Sequence, residues 1–249
     1  RRRLKMVRKS GVGCLLSLVL VLLAHSPALA ENEYYVGFKT GASIQDYNDV
    51  SFVNPRITTG LKTDHDTDTE ILYSLQIGRK ISSSARLEFE AAATPQVAFE
   101  RYYNNFPTTL QKIKIKSKRL MINGYYDLPQ IDLDEVPLAS QVLDFLSVKK
   151  VAAVYVSGGI GVGFNNTDAT QGATSEFNDE TSTDFAWSLG TGMSGNVSDN
   201  WTMDFGYRYV DLGEADTGVS AFSPFDEHFE GELVTHEVTL GVRYNFSSF

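Results

Sequence analysis

Residues 233–246, Leu-Val-Thr-His-Glu-Val-Thr-Leu-Gly-Val-Arg-Tyr-Asn-Phe, alternate with a strict period of two. One phase holds Val234, His236, Val238, Leu240, Val242, Tyr244 and Phe246; the other holds Thr235, Glu237, Thr239, Gly241, Arg243 and Asn245. That period makes a β-strand with one apolar and one polar face. The preceding stretch repeats it, with Trp201, Met203, Phe205, Tyr207 and Tyr209 opposite Thr202, Asp204, Gly206, Arg208 and Val210. The apolar faces are aromatic, and the polar faces set charges of both signs beside glycine. A lipid-facing exterior around a small polar lumen produces that pattern.

Arg1, Arg2, Arg3, Lys5, Arg8 and Lys9 make a basic start, residues 12–24 are an apolar run, and Ala28-Leu29-Ala30 is a small-x-small cleavage sequence. Together they predict a Sec-type signal peptide over residues 1–30, cleaved between Ala30 and Glu31, followed by one domain over 31–249. The apolar run is shorter than the roughly 20 residues that a membrane-spanning helix needs. The leader holds six of the 22 Lys and Arg residues and no Asp or Glu, so 16 basic residues face 31 acidic ones afterwards, a formal charge of −15. Such a chain is no partner for nucleic acid. Its one cysteine, Cys14, leaves with the leader, which removes disulfide and thiol chemistry. Cys14 also precedes most of the apolar run, which argues against a lipoprotein cleavage site.

No later segment is a candidate membrane helix, so a membrane protein made of residues 31–249 must be a barrel. Six more alternating segments are legible. Residues 34–44 set Tyr34, Val36, Phe38, Thr40, Ala42 and Ile44 against Tyr35, Gly37, Lys39, Gly41 and Ser43; residues 69–80 set Ile71, Tyr73, Leu75 and Ile77 against Glu70, Leu72, Ser74, Gln76 and Gly78. Residues 85–97 place Leu87, Phe89, Ala91 and Ala93 opposite Arg86, Glu88 and Glu90. The fourth segment is irregular: Ile113 and Ile115 fall in one phase, Leu120, Ile122, Gly124 and Tyr126 in the other, which predicts a bulge at residues 117–119. Residues 151–164 and 183–194 restore the alternation, with lumen glycines that leave room for bulky side chains opposite. Long polar loops are expected at 45–68, 99–109, 165–182 and 214–231, short turns at 82–84 and 196–200, and a Pro-broken connection at 128–150 with a short helix over 139–149. The sum is an all-β, eight-stranded antiparallel transmembrane β-barrel, an up-and-down meander with both chain ends in the periplasm. A lipocalin-like soluble barrel is the rival, but Arg208 and Arg243 beside glycines fit a polar lumen better.

The stretches Gly206–Leu212 (GYRYVDL), His236–Phe246 (HEVTLGVRYNF) and Val154–Phe164 (VYVSGGIGVGF) resemble the outer-membrane β-barrel family that includes the opacity-type surface proteins, small barrels of the OmpA/OmpX kind. The resemblance implies assembly by the outer-membrane insertion machinery, which reads a terminal aromatic residue. Tyr244, Phe246 and Phe249 are the candidates; Phe249 is three positions beyond Phe246 and out of its phase, so either Phe246 ends the strand or a bulge restores Phe249.

Site chemistry is sparse. Asp64, Asp66, Asp68 and Glu70 have the acidic alternation of a calcium loop without its glycine or closing glutamate. Of the histidines, His65 and His228 fall in loops and His236 on the apolar face, with no serine convincingly beside any, so no catalytic site is expected. No cofactor or metal is expected. Lys112, Lys114, Lys116, Lys118 and Arg119 are the basic cluster of the domain, poised either for lipopolysaccharide phosphates or as a solvated edge. The lumen charges are Lys39, Glu70, Arg86, Glu88, Glu90, Arg119, Asp204, Arg208, Glu237 and Arg243, and an eight-stranded interior is narrow enough for them to pair across it. The expectation is a non-enzymatic protein of the bacterial outer membrane, with a structural, adhesive or antigenic role carried by acidic loops; a narrow porin is the alternative. Expected partners are outer-membrane lipid and lipopolysaccharide, the assembly machinery, and a host or cell-surface ligand.

Overall fold

The computed structural model describes residues 33–53, 61–62, 66–103, 106–128, 151–171, 175–176, 178–219 and 228–247. Eight long strands account for nearly all of them: β1 Glu33–Val53, β2 Asp66–Lys80, β3 Ala85–Tyr103, β4 Phe106–Asp127, β5 Val151–Gln171, β6 Glu180–Asn196, β7 Trp201–Asp216 and β8 His228–Ser247. Each pairs antiparallel with its sequence neighbours, and β8 returns to β1 in a register running from Tyr34↔Phe246 to Val53↔His228. The sheet is therefore a closed meander without edges. Short turns at 81–84 and 197–200 lie at the end that also holds Glu33 and Ser247.

The expected face assignments hold through the lower half of the wall. Leu75 is 65% exposed on the outside, whereas Leu72, three residues away in the opposite phase, is 0% exposed inside. Aromatic rings band the exterior: Trp201 lies 5.0 Å from Tyr244, and Tyr34 stacks on Phe246 at 6.2 Å near the turns, while Trp187 and Tyr209 meet at 5.3 Å farther up.

The strands are much longer than expected. The loops assigned to 45–68, 99–109, 165–182 and 214–231 are in large part strand, because β1 runs to Val53, β3 to Tyr103, β4 starts at Phe106, β5 runs to Gln171, and β7 and β8 meet at Asp216↔Glu230. A 21-residue strand tilted by about 45° rises about 50 Å, roughly twice the apolar band of an outer-membrane barrel. The wall is thus about twice as tall as such a band.

The bulge expected at 117–119 of β4 is not there. The β4–β5 register is unbroken from Gln111↔Gln171 to Asp127↔Tyr155, and Ile113, Ile115, Ser117, Arg119, Met121, Asn123 and Tyr125 all point inward. Ile113 and Ile115 are buried inside the barrel, whereas Leu120 and Ile122 lie on its outer face, so the apolar side of β4 changes along an unbroken strand. The bulge sits one strand away, where Thr94 and Val97 of β3 face Ser117 and Ile115. Pro95, which has no N–H for the ladder, occupies it. Further register shifts follow Asn48 in β1 and Asp211 in β7; in the latter Gly213 has φ 74° and donates its N–H to Asp211 Oδ1 at 2.9 Å. Residues 1–30, the helix expected at 139–149, and Phe249 lie outside the described residues.

Candidate functional site

The lumen is built where inward phases of distant strands meet. Glu90 of β3, Arg119 of β4, Arg208 of β7 and Glu237 of β8 form an alternating square in which each guanidinium bonds both carboxylates. Arg119 Nη1 and Nη2 donate to Glu237 at 2.6 and 2.9 Å, and its Nε and Nη2 donate to Glu90 Oε1 at 3.2 and 3.1 Å. Arg208 donates to Glu90 at 2.8 and 2.9 Å and to Glu237 at 2.9 and 3.2 Å. Asn123 and Thr235 add a bond each to Glu90 and Glu237. Paired, bidentate charges are the form in which buried ions are tolerated. The square joins opposite walls, so its side chains cross the bore at that level.

Toward the short turns a second layer follows. Lys39 Nζ reaches Glu88 Oε1 at 3.0 Å and the Tyr125 hydroxyl at 2.9 Å; Tyr125 and Tyr35 donate to Glu88 at 2.7 and 3.1 Å. Arg243 forks onto Asp204 at 2.6 and 3.0 Å. Arg86 stands 3.7 Å from Asp204 and 3.8 Å from Asp127, its guanidinium over the rings of Tyr125 and Tyr155 at 4.3 and 4.8 Å. Glycines make the space. An added Cβ at Gly78 would lie 2.2 Å from Tyr35, and one at Gly192 would lie 2.5 Å from the Tyr155 hydroxyl.

Nine of the ten charges expected in the lumen are brought together; Glu70, half-buried on the same phase, makes none of these contacts among the described residues. Tyr35, Tyr125, Tyr155, Asn123 and Asp127 belong to the lumen network and were not singled out by sequence. Their signal was legible for Tyr35 and Tyr155, which are bulky residues on a phase otherwise rich in glycine. Above the square Tyr47, Phe99, Ile113, Ile115, Phe229 and Leu233 form one buried cluster, Tyr47 stacked on Phe99 at 5.7 Å, with Gln45, Asn165 and Thr167 buried beside it.

The remaining candidates are accounted for locally. Asp68 accepts the Thr69 and Ala98 N–H groups, while Asp64 and His65 lie outside the described residues. His236 Nδ1 lies 2.7 Å from the Tyr207 hydroxyl on the outer wall. The basic cluster divides, since Arg119 turns into the square whereas Lys112, Lys114, Lys116 and Lys118 are on the outer face.

At the end away from the short turns, β7 and β8 set Glu214 opposite Glu232 and Asp216 opposite Glu230, two like-charge pairs in which Asp216 is half-buried and the three glutamates are exposed. Burial first, and then Glu214 and Glu230, push the Asp216 carboxyl up to about 6.

The sequence matches the outer membrane protein beta-barrel domain over residues 16–246, in keeping with the closed eight-stranded meander. The chain belongs to that family. It is a barrel of the bacterial outer membrane. The outer membrane protein PagN of Salmonella typhimurium strain LT2 is 24% identical over 143 residues, covering 54% of this chain and 52% of PagN, so the chain spans about half the length of this curated relative. Among solved structures, Ail of Yersinia pestis, the attachment invasion locus protein, in complex with the heparin analogue sucrose octasulfate, is 15% identical, with 87% of this chain and 100% of Ail covered and a TM-score of 0.42. OprG of Pseudomonas aeruginosa is 12% identical, with 87% and 97% covered and a TM-score of 0.45.

Proposed function

We propose that this barrel is a non-catalytic surface protein: a closed post that carries an acidic extracellular rim to a cationic patch on a host or neighbouring cell. The observation that carries this reading is the square of Glu90, Arg119, Arg208 and Glu237, which spans the bore and leaves the work to the outer end. The opposed pairs Glu214/Glu232 and Asp216/Glu230 support the partner's sign, because like charges directly across a ladder are destabilising until a cation meets them. Lumen pairing serves here as structure, not as a transport path.

Export follows the Sec route with cleavage after Ala30, and insertion by the assembly machinery uses Tyr244 and Phe246 of the closing strand, whose rings lie 6.5 Å apart and stacked. Normal insertion after removal of residues 247–249 supports Phe246 as the signal; failed insertion transfers that role to Phe249.

The test has two arms. Refolded protein in planar bilayers is expected to show no single-channel steps; regular steps would favour the alternative, a narrow porin for ions or small solutes. Cells displaying E214Q/E230Q/E232Q are expected to adhere several-fold less to epithelial monolayers than cells displaying the wild type, and unchanged adhesion would remove the acidic rim from the account.

A further inference from the structure

The outer wall carries a trough that neither the sealed interior nor the acidic rim uses. On the lipid-facing side of β2, β3 and β4 the paired residues run Tyr73–Ala93–Lys118 and, one pleat lower, Leu75–Ala91–Leu120. Two alanines between large neighbours leave a channel along β3. The inward-phase residues Ser74, Ala92 and Arg119 also line it, and the β2–β3 ladder ends at its upper part, at Tyr73↔Ala93, just before the Pro95 bulge. The cavity measures about 580 Å³, has a mainly apolar surface, and is flanked by Phe38 and Phe164.

Its upper rim has the opposite chemistry. Lys118 lines the cavity, and Lys116 stands one pleat higher, about 7 Å along the strand. Both are exposed, and among the described residues neither is paired with a carboxylate. Lys114, by contrast, lies 3.6 Å from Asp168. The placement is unusual in a domain whose formal charge is strongly negative. On the same face of β4, Leu120 and Ile122 lie below these lysines and no apolar residue lies above them as far as Lys112, so they mark the extracellular margin of the apolar band.

We propose that this trough is a lipopolysaccharide site, seating one acyl chain of lipid A against Ala91 and Ala93 while a lipid A phosphate lies on Lys116 and Lys118. The charge of the rim matches the phosphate, the apolar floor matches the chain, and the margin is that of the outer leaflet, where lipopolysaccharide resides. A phosphate carrying more than one negative charge uses two lysines; a phosphodiester headgroup carries only one.

Native mass spectrometry of the folded full barrel, titrated with bis-phosphorylated lipid A, tests the site. K116Q/K118Q is expected to weaken retention of lipid A about 20-fold, on the order of fivefold per lysine. Dephosphorylated lipid A and phosphatidylglycerol are expected to bind the wild type as weakly as lipid A binds that variant. A91F/A93F, which fills the trough, is expected to lose at least tenfold while migrating as a folded, heat-modifiable barrel. Retention within twofold of the wild type in K116Q/K118Q overturns the proposal, as does equal binding of phosphatidylglycerol. Should A91F/A93F fail to fold, the exposed lysine pair alone decides. None of these readouts depends on adhesion or conductance.

Discussion

Two halves of the same strands live in opposite surroundings. In the half nearer the turns the outside is apolar, with Leu75 and Ile71 facing lipid, and the inside holds charged residues tied into the lumen network. In the half beyond the membrane the outside carries Lys114, Asp168, Glu214 and Glu232, and the inside holds a buried cluster around Tyr47, Phe99 and Phe229. The alternation of β4 runs through both halves without a break. A period of two therefore reports that a strand has two faces; which face meets an apolar medium is set by height on the barrel.

The halves should fail differently. The largest effect is expected from Glu90→Ala, which leaves Arg119 and Arg208 with one carboxylate between them deep in the wall; about 3–5 kcal/mol should be lost in urea unfolding from lipid vesicles, with the whole barrel affected. Replacing all four members of the square with apolar residues of similar volume should cost far less, since no buried charge is then stranded.

Phe99→Ala strikes the upper half. Loss of a fully buried ring stacked on Tyr47 is expected to cost about 3 kcal/mol, read as faster amide exchange in β1, β3 and β4 above the membrane while the lower ladder keeps its protection. Uniform acceleration along the strands would show that the halves are one cooperative unit.

Gly213→Ala is a smaller perturbation of the same region. A Cβ there would sit 2.5 Å from the Asp184 Cβ on a residue at φ 74°, and roughly 1–2 kcal/mol of rim stability should go, visible as increased proteolysis of the β7–β8 end.

The weakest effect depends on pH. The Asp216 carboxyl, pushed up to about 6 by burial and by Glu214 and Glu230, lies above its unfolded value of about 3.9. The folded rim holds the extra proton between about pH 4 and 6, so rim stability falls as pH rises through that window and is level above it. Asp216→Asn should recover up to about 1 kcal/mol at pH 7 after allowing for solvent screening, and nothing at pH 4. A gain of equal size at both pH values would show that charge is not the cause.

How much of this was legible in the sequence follows the same division. The lower half was written in the residues, because lipid outside and charge inside make each face chemically distinct; that the last strand closes on Tyr34–Ile44 was legible too, whereas the register Tyr34↔Phe246 to Ile44↔His236 comes from the structure. The upper half was read as loop because its outer residues are those of any solvated segment, and its inward rings Tyr47, Phe99 and Phe229 each belong to a different strand, so no one segment shows the alternation strongly. The irregular phase of Ile113 and Ile115 was a real signal assigned to the wrong cause: a bulge was inferred where the surroundings invert, and the true bulge was at Pro95, whose missing N–H was visible all along. In the lumen the charges could be named from their phase, but the partner of each depended on which strands face one another across the bore, which no local pattern encodes.

The inversion is tested most directly by spin labels at single cysteines scanned through residues 112–122 of β4 in lipid vesicles. The account predicts an unbroken period of two: even positions accessible to an aqueous relaxant above Lys118 and to oxygen in lipid below it, odd positions accessible to neither. A change of phase at 117–119, with residues 113 and 115 exposed on the outer face, would contradict it.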